Sequence, residues 1–312
     1  MPLADPTFNI RAALKQGMGQ LRAAAIPSHT LAAEVLLMHV LGRDRAWMYS
    51  HPEEILVPTA AEKYRNLLTR RAAGEPTQYL TGHQEFWGLD FEVTPAVLIP
   101  RPETEHVMEV ALARLGERGF KIHLDSGAPR ETLHIADVGT GSGCLAIALA
   151  YELPHAEIIA TDISAAALEV ARRNASRLSV PPHDLAGRIH FIHADLLPAL
   201  PAENPSPRFD LIVSNPPYIA DPESATLQRE VRDHEPHSAL FAGPTGIEIY
   251  MRLVDEAQKQ LRDRGILVLE LGHDSADAVR ALFDAASSSW TNVAITMDLA
   301  GIPRVLAADR VR

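Results

Sequence analysis

From Leu133 onward the chain alternates short apolar runs with amphipathic stretches, and that alternation leaves few architectures open. The runs LHIADVG, EIIATD, RIHFIHAD, FDLIVSNPP and ILVLELG are apolar at most positions, as strands buried on both faces are. CLAIALAYEL, SAAALEVARRNASRL, IEIYMRLVDEAQKQLRDRG and DSADAVRALFDAA carry helical spacing, and VAITMDL and RVLAA close the chain as strand-like runs. Strand and helix in alternation predict βαβ units: a mostly parallel sheet with helices on both faces and ligands at the strands' carboxyl ends. DSGAPR and AENPSPR read as polar surface loops.

The first quarter follows a different rule. LAAEVLLMHVLG and AAEKYRNLLTRRAAG repeat apolar residues at three and four, with Ser28 as a helix start and Gly42 and Gly74 as stops. QEFWGLDFEVTP holds two β-rich runs around Gly88, a hairpin signal. We therefore expect a small helical domain over 1–74 that recognises a protein substrate, a hairpin linker over 75–103 and a catalytic α/β domain over 104–312.

A formal net charge of −11 disfavours a partner held mainly through phosphates, so no direct nucleic-acid substrate is expected. The pairs Arg70, Arg71 and Arg172, Arg173 are the only hints of a basic patch, and paired helical arginines read as a solvated face. With 46% hydrophobic residues, no apolar run of spanning length, no secretory signal at the start and the single cysteine Cys144, the expectation is a cytoplasmic protein away from the membrane and without disulfides.

Asp137-Val-Gly-Thr-Gly-Ser-Gly143 lies where the first parallel strand hands over to a helix. Glycines there allow a tight turn and close approach of a ligand to the backbone. The dinucleotide fingerprint wants its third glycine or alanine where this chain has Cys144, and no GK[ST] follows, so neither NAD nor a P-loop fits. A GxGxG loop is similar to the first motif of class I methyltransferases, which puts Gly139, Thr140, Gly141, Ser142 and Gly143 against S-adenosyl-L-methionine. Asp162, a little over 20 residues beyond the first glycine, is placed to accept ribose hydroxyls. Ser164 is the better N-cap for the next helix. Asp195 is a candidate for the adenine amino group, with Leu196 packing on the ring, although acidic residues at strand ends also start loops.

Asn215-Pro216-Pro217-Tyr218 directly follows the strand DLIVS. Two prolines fix two φ angles and remove two donors, so the segment is rigid and rich in acceptors. An amide nitrogen is a poor nucleophile because its lone pair is delocalised. The Asn215 side-chain carbonyl and the Pro216 backbone carbonyl can take its two hydrogens and aim it at a methyl group, in a contact that strengthens as charge develops. Tyr218 is expected to pack on the flat acceptor group, and neither a dedicated base nor a metal is needed.

VLIPRPETE, ADVGTGSG, SNPPYI, DLAGIPRVL and the preceding QYLTG together resemble the release-factor glutamine methyltransferase family of the PrmC or HemK type, over nearly the whole chain. The resemblance implies a Rossmann-like class I methyltransferase sheet, S-adenosyl-L-methionine as cofactor, and the Gly-Gly-Gln glutamine of bacterial class I peptide chain release factors as acceptor. It also implies that Gly139 to Gly143, Asp162, Leu196 and Asn215 line the cofactor site, while Asn215 to Tyr218 hold the glutamine. Leu196 stands where members often carry an aromatic residue.

A ribosomal-protein glutamine methyltransferase would share NPPY, but not the PRPETE run. Adenine-N6 DNA or RNA methyltransferases use a similar segment but want a basic recognition domain. A cofactor-binding regulator without activity would need neither Asn215 nor Tyr218. The histidine pairs His190, His193 and His234, His237 complete no ligand set, and no metal is expected.

Overall fold

The computed structural model describes residues 8–120, 132–180, 184–185, 187–199 and 209–311; the loops DSGAPR and AENPSPR lie outside the described residues. The chain divides into two compact units. One comprises the described residues up to His83 together with Gln228–His234; the other comprises Gln84–Leu227 and Glu235–Arg312. This division falls at His83, later than the sequence boundary at residue 74, and adds a distant segment to the helical unit.

In the first unit, α1 (Ile10–Ala23), α2 (His29–Leu41), α3 (Arg45–Ser50), α4 (Pro58–Ala72) and α5 (Thr77–Thr81) surround a core that includes Leu14, Leu21, Leu36, Leu37, Tyr64 and Leu68. The cap of α1 is Asn9, whose side chain accepts the Ala12 N–H at 2.9 Å. Ser28 does sit at the start of α2, but with φ at 51° and no side-chain cap bond; Gly42 closes that helix in the left-handed conformation. Gly17 matters for packing: a Cβ there would overlap the Tyr64 hydroxyl, which donates to the Ala33 carbonyl at 3.1 Å. Arg71 departs from the expected solvated face. Its side chain is 5% exposed, pairs with Glu230 at 2.6 Å and donates to the Glu75 carbonyl at 3.1 Å.

The second unit opens on the hairpin β1 (His83–Phe86) and β2 (Leu89–Glu92), which turns through Trp87 and Gly88, both with positive φ. A 3₁₀ turn at Pro102–Thr104 leads into α6 (Glu105–Glu117). Then come β3 (Leu133–Val138), α7 (Cys144–Glu152), β4 (Ala156–Asp162), α8 (Ala165–Leu178), β5 (Ile189–His193) and β6 (Phe209–Ser214). The short β7 (Ile219–Ala220) follows, then α9 (Arg229–His234), which belongs to the first unit, and then α10 (His237–Leu240) and β8 (Phe241–Gly243). Last are α11 (Glu248–Gln260), β9 (Leu261–Glu270), α12 (Ala276–Ala285), β10 (Trp290–Met297) and β11 (Pro303–Arg310). The helix expected to run to Gly265 ends at Gln260, because Leu261 turns extended and pairs with Phe209.

The main sheet has the order β10-β11-β9-β6-β3-β4-β5. Pairing is parallel from β9 to β5, and β11 and β10 join antiparallel. Alternate strand residues feed two cores. Ile135, Leu211, Val213 and Val268 face the side covered by α6 and α7, while Ala136, Ile212, Leu267 and Leu269 face α11 and α12. α7 is apolar almost all round, which fits its burial at Leu145 to Ala150. The chain runs outward from β3 through β4 to β5 and then returns to the other side of β3 with β6. That reversal opens a crevice at the carboxyl ends of β3, β4 and β6, where ligands of such sheets sit.

Candidate active site

Strand register brings three distant motifs to one level. Val138 pairs with Thr161 on one side and Ser214 on the other, so the next residues, Gly139, Asp162 and Asn215, stand at one level at the carboxyl ends of the three strands. A cavity of about 310 Å³ opens there, and its wall includes Gly139, Gly141, Asp162, Asp195, Leu196, Asn215, Pro216 and Pro217. Thr140, Ser142, Gly143 and Tyr218 are not on that wall.

The off-wall loop residues hold the loop in shape. Buried Thr140 donates to Asp137 Oδ2 at 2.6 Å, the same oxygen that accepts the Ala146 N–H at 3.0 Å. The Gly139 and Thr140 N–H groups both go to the Thr161 carbonyl, at 2.9 and 2.8 Å, and Gly143 N–H goes to the Thr140 carbonyl at 2.8 Å. Gly143 is left-handed, and a Cβ there would press on Ile147 and Ala171 at 3.0 and 3.2 Å, so it serves close helix packing. Gly139 and Gly141 also have positive φ, but face open space. Several loop donors are thus spent within the protein, and what the loop presents to the cavity is the bare backbone of Gly139 and Gly141. Asn174 adds a tie that sequence reasoning missed: its Nδ2 donates to the Ser142 carbonyl at 2.9 Å, and its Oδ1 accepts the Glu92 N–H at 2.7 Å.

Burial pushes the Asp137 carboxyl up to about 7, against the pull of its two hydrogen bonds. Asp162 is also raised by burial; its two oxygens accept the Gly141 and Ser164 N–H groups at 2.9 and 2.8 Å. Ser164 itself caps α8 by accepting the Ala167 N–H at 3.1 Å. Asp195 is half exposed and paired with Arg252 of α11 at 2.7 Å, across the same cavity wall. Leu196 takes a positive φ of 64°, a conformation that is uncommon for a leucine and tolerated at functional turns.

In the NPPY segment, Asn215 Nδ2 donates to the Thr104 hydroxyl at 3.0 Å, and Asn215 Oδ1 has no hydrogen-bond partner among the described residues. Pro216 is buried and Pro217 half-buried. The Tyr218 ring packs on Gly272 just beyond β9, where a Cβ would lie 2.7 Å from Cδ2. Burial, and then the nearby Glu270 carboxylate, push its phenol up to about 12, so it stays neutral. Arg101, Glu103 and Arg304, from PRPETE and GIPR, are the other charges that act on Tyr218. Sequence reasoning assigned no role to Thr104, Glu270 or Arg252. A glutamate inside the apolar run ILVLELG was the available signal for Glu270.

His190 meets Glu157 at 3.2 Å and His193 the Ile163 carbonyl at 2.7 Å. No group of three or more metal-ligating side chains occurs among the described residues, and none of their helices is long and apolar enough to cross a membrane.

Residues 12–82 match the PrmC N-terminal domain family, and residues 119–233 match the methyltransferase small domain family. The release factor glutamine methyltransferase of Koribacter versatilis is 42% identical over 300 residues, covering 96% of this chain and 98% of that protein. The protein of the same name from Chlorobaculum tepidum is 43% identical over 303 residues, covering 97% and 98%. Among solved structures, the catalytic domain of hMettl16 in complex with a MAT2A 3'UTR hairpin superposes with a TM-score of 0.52 at 17% identity. That match covers 78% of this chain and 81% of that one, and carries the fold alone.

Proposed function

The chain belongs to the release factor glutamine methyltransferase family, and from that premise we propose that it methylates the Gly-Gly-Gln glutamine of bacterial class I peptide chain release factors on its side-chain amide nitrogen. The observation that carries the reading is the shared wall: Asn215 and Pro216 border the same cavity as Gly139, Gly141 and Asp162. Acceptor groups and a nucleoside-type site thus lie within one crevice.

The residues fit S-adenosyl-L-methionine. Gly139 and Gly141 offer backbone without side chains, the mostly buried Asp162 offers acceptor oxygens for ribose hydroxyls, and Leu196 offers an apolar wall for the adenine. Asp195, paired with Arg252 and on the same wall, is the carboxylate placed to accept the adenine amino group. When bound, the cofactor supplies an electrophilic methyl group on a sulfonium. Asn215 Oδ1 and the Pro216 carbonyl accept the two N–H hydrogens of the glutamine amide and hold its nitrogen in line with that methyl group. The nitrogen gains a methyl and loses one proton to solvent. Neutral Tyr218, braced on Gly272, limits where the flat amide can sit. The helical unit serves recognition of the release factor, and the cytoplasm is where both proteins work.

Incubation with labelled cofactor and, separately, release factor, ribosomal protein and DNA tests this assignment. Label in release factor, located by mass spectrometry to the Gly-Gly-Gln peptide, is expected. Label in ribosomal protein or DNA instead would replace the proposed substrate.

A further inference from the structure

Asn215 can accept from the substrate only if its amide is turned with Oδ1 toward it, and nothing in a free asparagine fixes that choice. The protein supplies a constraint on the other side. Asn215 Nδ2 donates to Thr104 Oγ1 at 3.0 Å, and Thr104 is 2% exposed, so the contact is closed to water. Thr104 is also close enough to the Glu270 carboxylate, itself 3% exposed, for its hydroxyl to pull that carboxyl's pKa down. Glu270 Oε2 is buried without a hydrogen-bond partner among the described residues, an expensive arrangement for a polar atom. None of the steps described above uses it.

We propose that Glu270 is a positioning residue: it accepts a hydrogen bond from the Thr104 hydroxyl, which leaves a Thr104 Oγ1 lone pair to accept from Asn215 Nδ2 and so commits Asn215 Oδ1 to the substrate amide. An ionised carboxylate can only accept, a hydroxyl has one proton to give, and an asparagine amide has one oxygen and one nitrogen end. Once Glu270 is ionised, every direction in the chain of three is determined. A protonated Glu270 can instead donate to Thr104, and the direction is lost. This inference rests on the reading that Asn215 orients the acceptor amide.

Burial holds the Glu270 carboxyl up at about 7, with Glu103 raising it and Thr104, Arg304 and Arg101 lowering it. Tyr218, Tyr250 and Cys144 are the other titratable groups that feel its charge. The rate of methyl transfer should therefore fall as pH drops below about 7, as Glu270 takes up a proton.

The test is single-turnover methyl transfer to a release factor across pH, with S-adenosylhomocysteine affinity measured in parallel by calorimetry. Thr104→Val removes the hydroxyl but keeps the shape, and should slow transfer about 10- to 100-fold, the range found when a partner that orients a metal-binding ligand is removed. S-adenosylhomocysteine affinity should hold, and Thr104→Ser should recover most of the rate. Thr104→Val combined with Asn215→Ala should be no slower than Asn215→Ala alone, because the two act through one group. Glu270→Gln should abolish the acid limb. A wild-type rate in Thr104→Val, an acid limb that persists in Glu270→Gln, or a loss of cofactor affinity that matches the loss of rate would each overturn the proposal. A wild-type rate in Asn215→Ala would instead remove the reading on which it stands.

Discussion

Asp162 Oδ2 accepts the Gly141 N–H at 2.9 Å, so the carboxylate that ends β4 also fixes the glycine loop that ends β3. Its other oxygen is bound to the Ser164 N–H, which makes Asp162 a junction between the loop and the start of α8. Asp162→Ala therefore removes two things at once, a ribose acceptor and a brace. We expect S-adenosylhomocysteine to bind more weakly by on the order of 1.5–3 kcal/mol, as for lost hydrogen bonds to a charged acceptor. Calorimetry measures this directly, and unchanged affinity in a folded variant would take Asp162 out of the site.

Asp137 provides a prediction in pH. Its carboxyl is held up at about 7 by burial, from an ordinary value of 3.8, so between those two values the folded protein keeps a proton that the unfolded chain has released. Stability must then decrease as pH rises through that window, because the native state binds more protons than the unfolded state there. Asp137→Asn removes its share of the decrease, on the order of a few kcal/mol. Urea unfolding at about pH 5 and about pH 8 should give a smaller difference for Asp137→Asn than for wild type. Equal differences would mean that Asp137 folds in its charged form.

The division between what was legible in the sequence and what was not follows the range of the interactions. Periodicity is local, and it was enough for the strands of the main sheet, for α2, α4, α7, α8, α12 and the body of α11, and for the turn at Gly88; the short α5, α9 and α10 were not read. Asp162 and Asn215 were readable because each directly ends a strand, and strand ends converge in this topology. Thr104, Asn174 and Glu270 act across 111, 82 and more residues of chain, and only register and packing bring them to the site. Arg71 shows the same limit in the helical unit, since its partner Glu230 is far away in sequence. The end of α11 was missed for another reason: QLRDRG has good helical composition, but Leu261 is taken by β9 pairing.

The Arg71 and Glu230 pair is the clearest tie between α4 and α9 within the helical unit. Glu230→Ala leaves the buried guanidinium with only the Glu75 and Gly74 carbonyls, at 3.1 and 3.5 Å. Truncating one partner of a fully buried pair costs about 3–5 kcal/mol, and with Glu230 27% exposed the expected loss is smaller, about 1–3 kcal/mol. Hydrogen exchange should become faster at the amides of α9 and the C-terminal turn of α4. Unchanged protection in both would show that the pair holds nothing in place.

Gly272 offers a steric test of Tyr218 that leaves the NPPY sequence intact. A Cβ at Gly272 would lie 2.7 Å from Cδ2 and 3.1 Å from Cγ of the ring, and the glycine backbone is outside the left-handed region, so Gly272→Ala meets the ring and no backbone penalty. Overpacking of this kind costs about 1–3 kcal/mol of stability. The ring must shift off Gly272, and with it the end of the NPPY segment whose other residues border the cavity. Misplacement of reacting groups by an ångström is worth about 10² in rate, so methyl transfer should fall by that order while S-adenosylhomocysteine affinity stays near wild type. Adding Gly272→Ala to Tyr218→Ala should cost nothing further, because the ring it strikes is gone. Single-turnover transfer in the four proteins decides the matter: a wild-type rate in folded Gly272→Ala, or a further loss in the double variant, would mean that Tyr218 does not shape the acceptor site from its seat on Gly272.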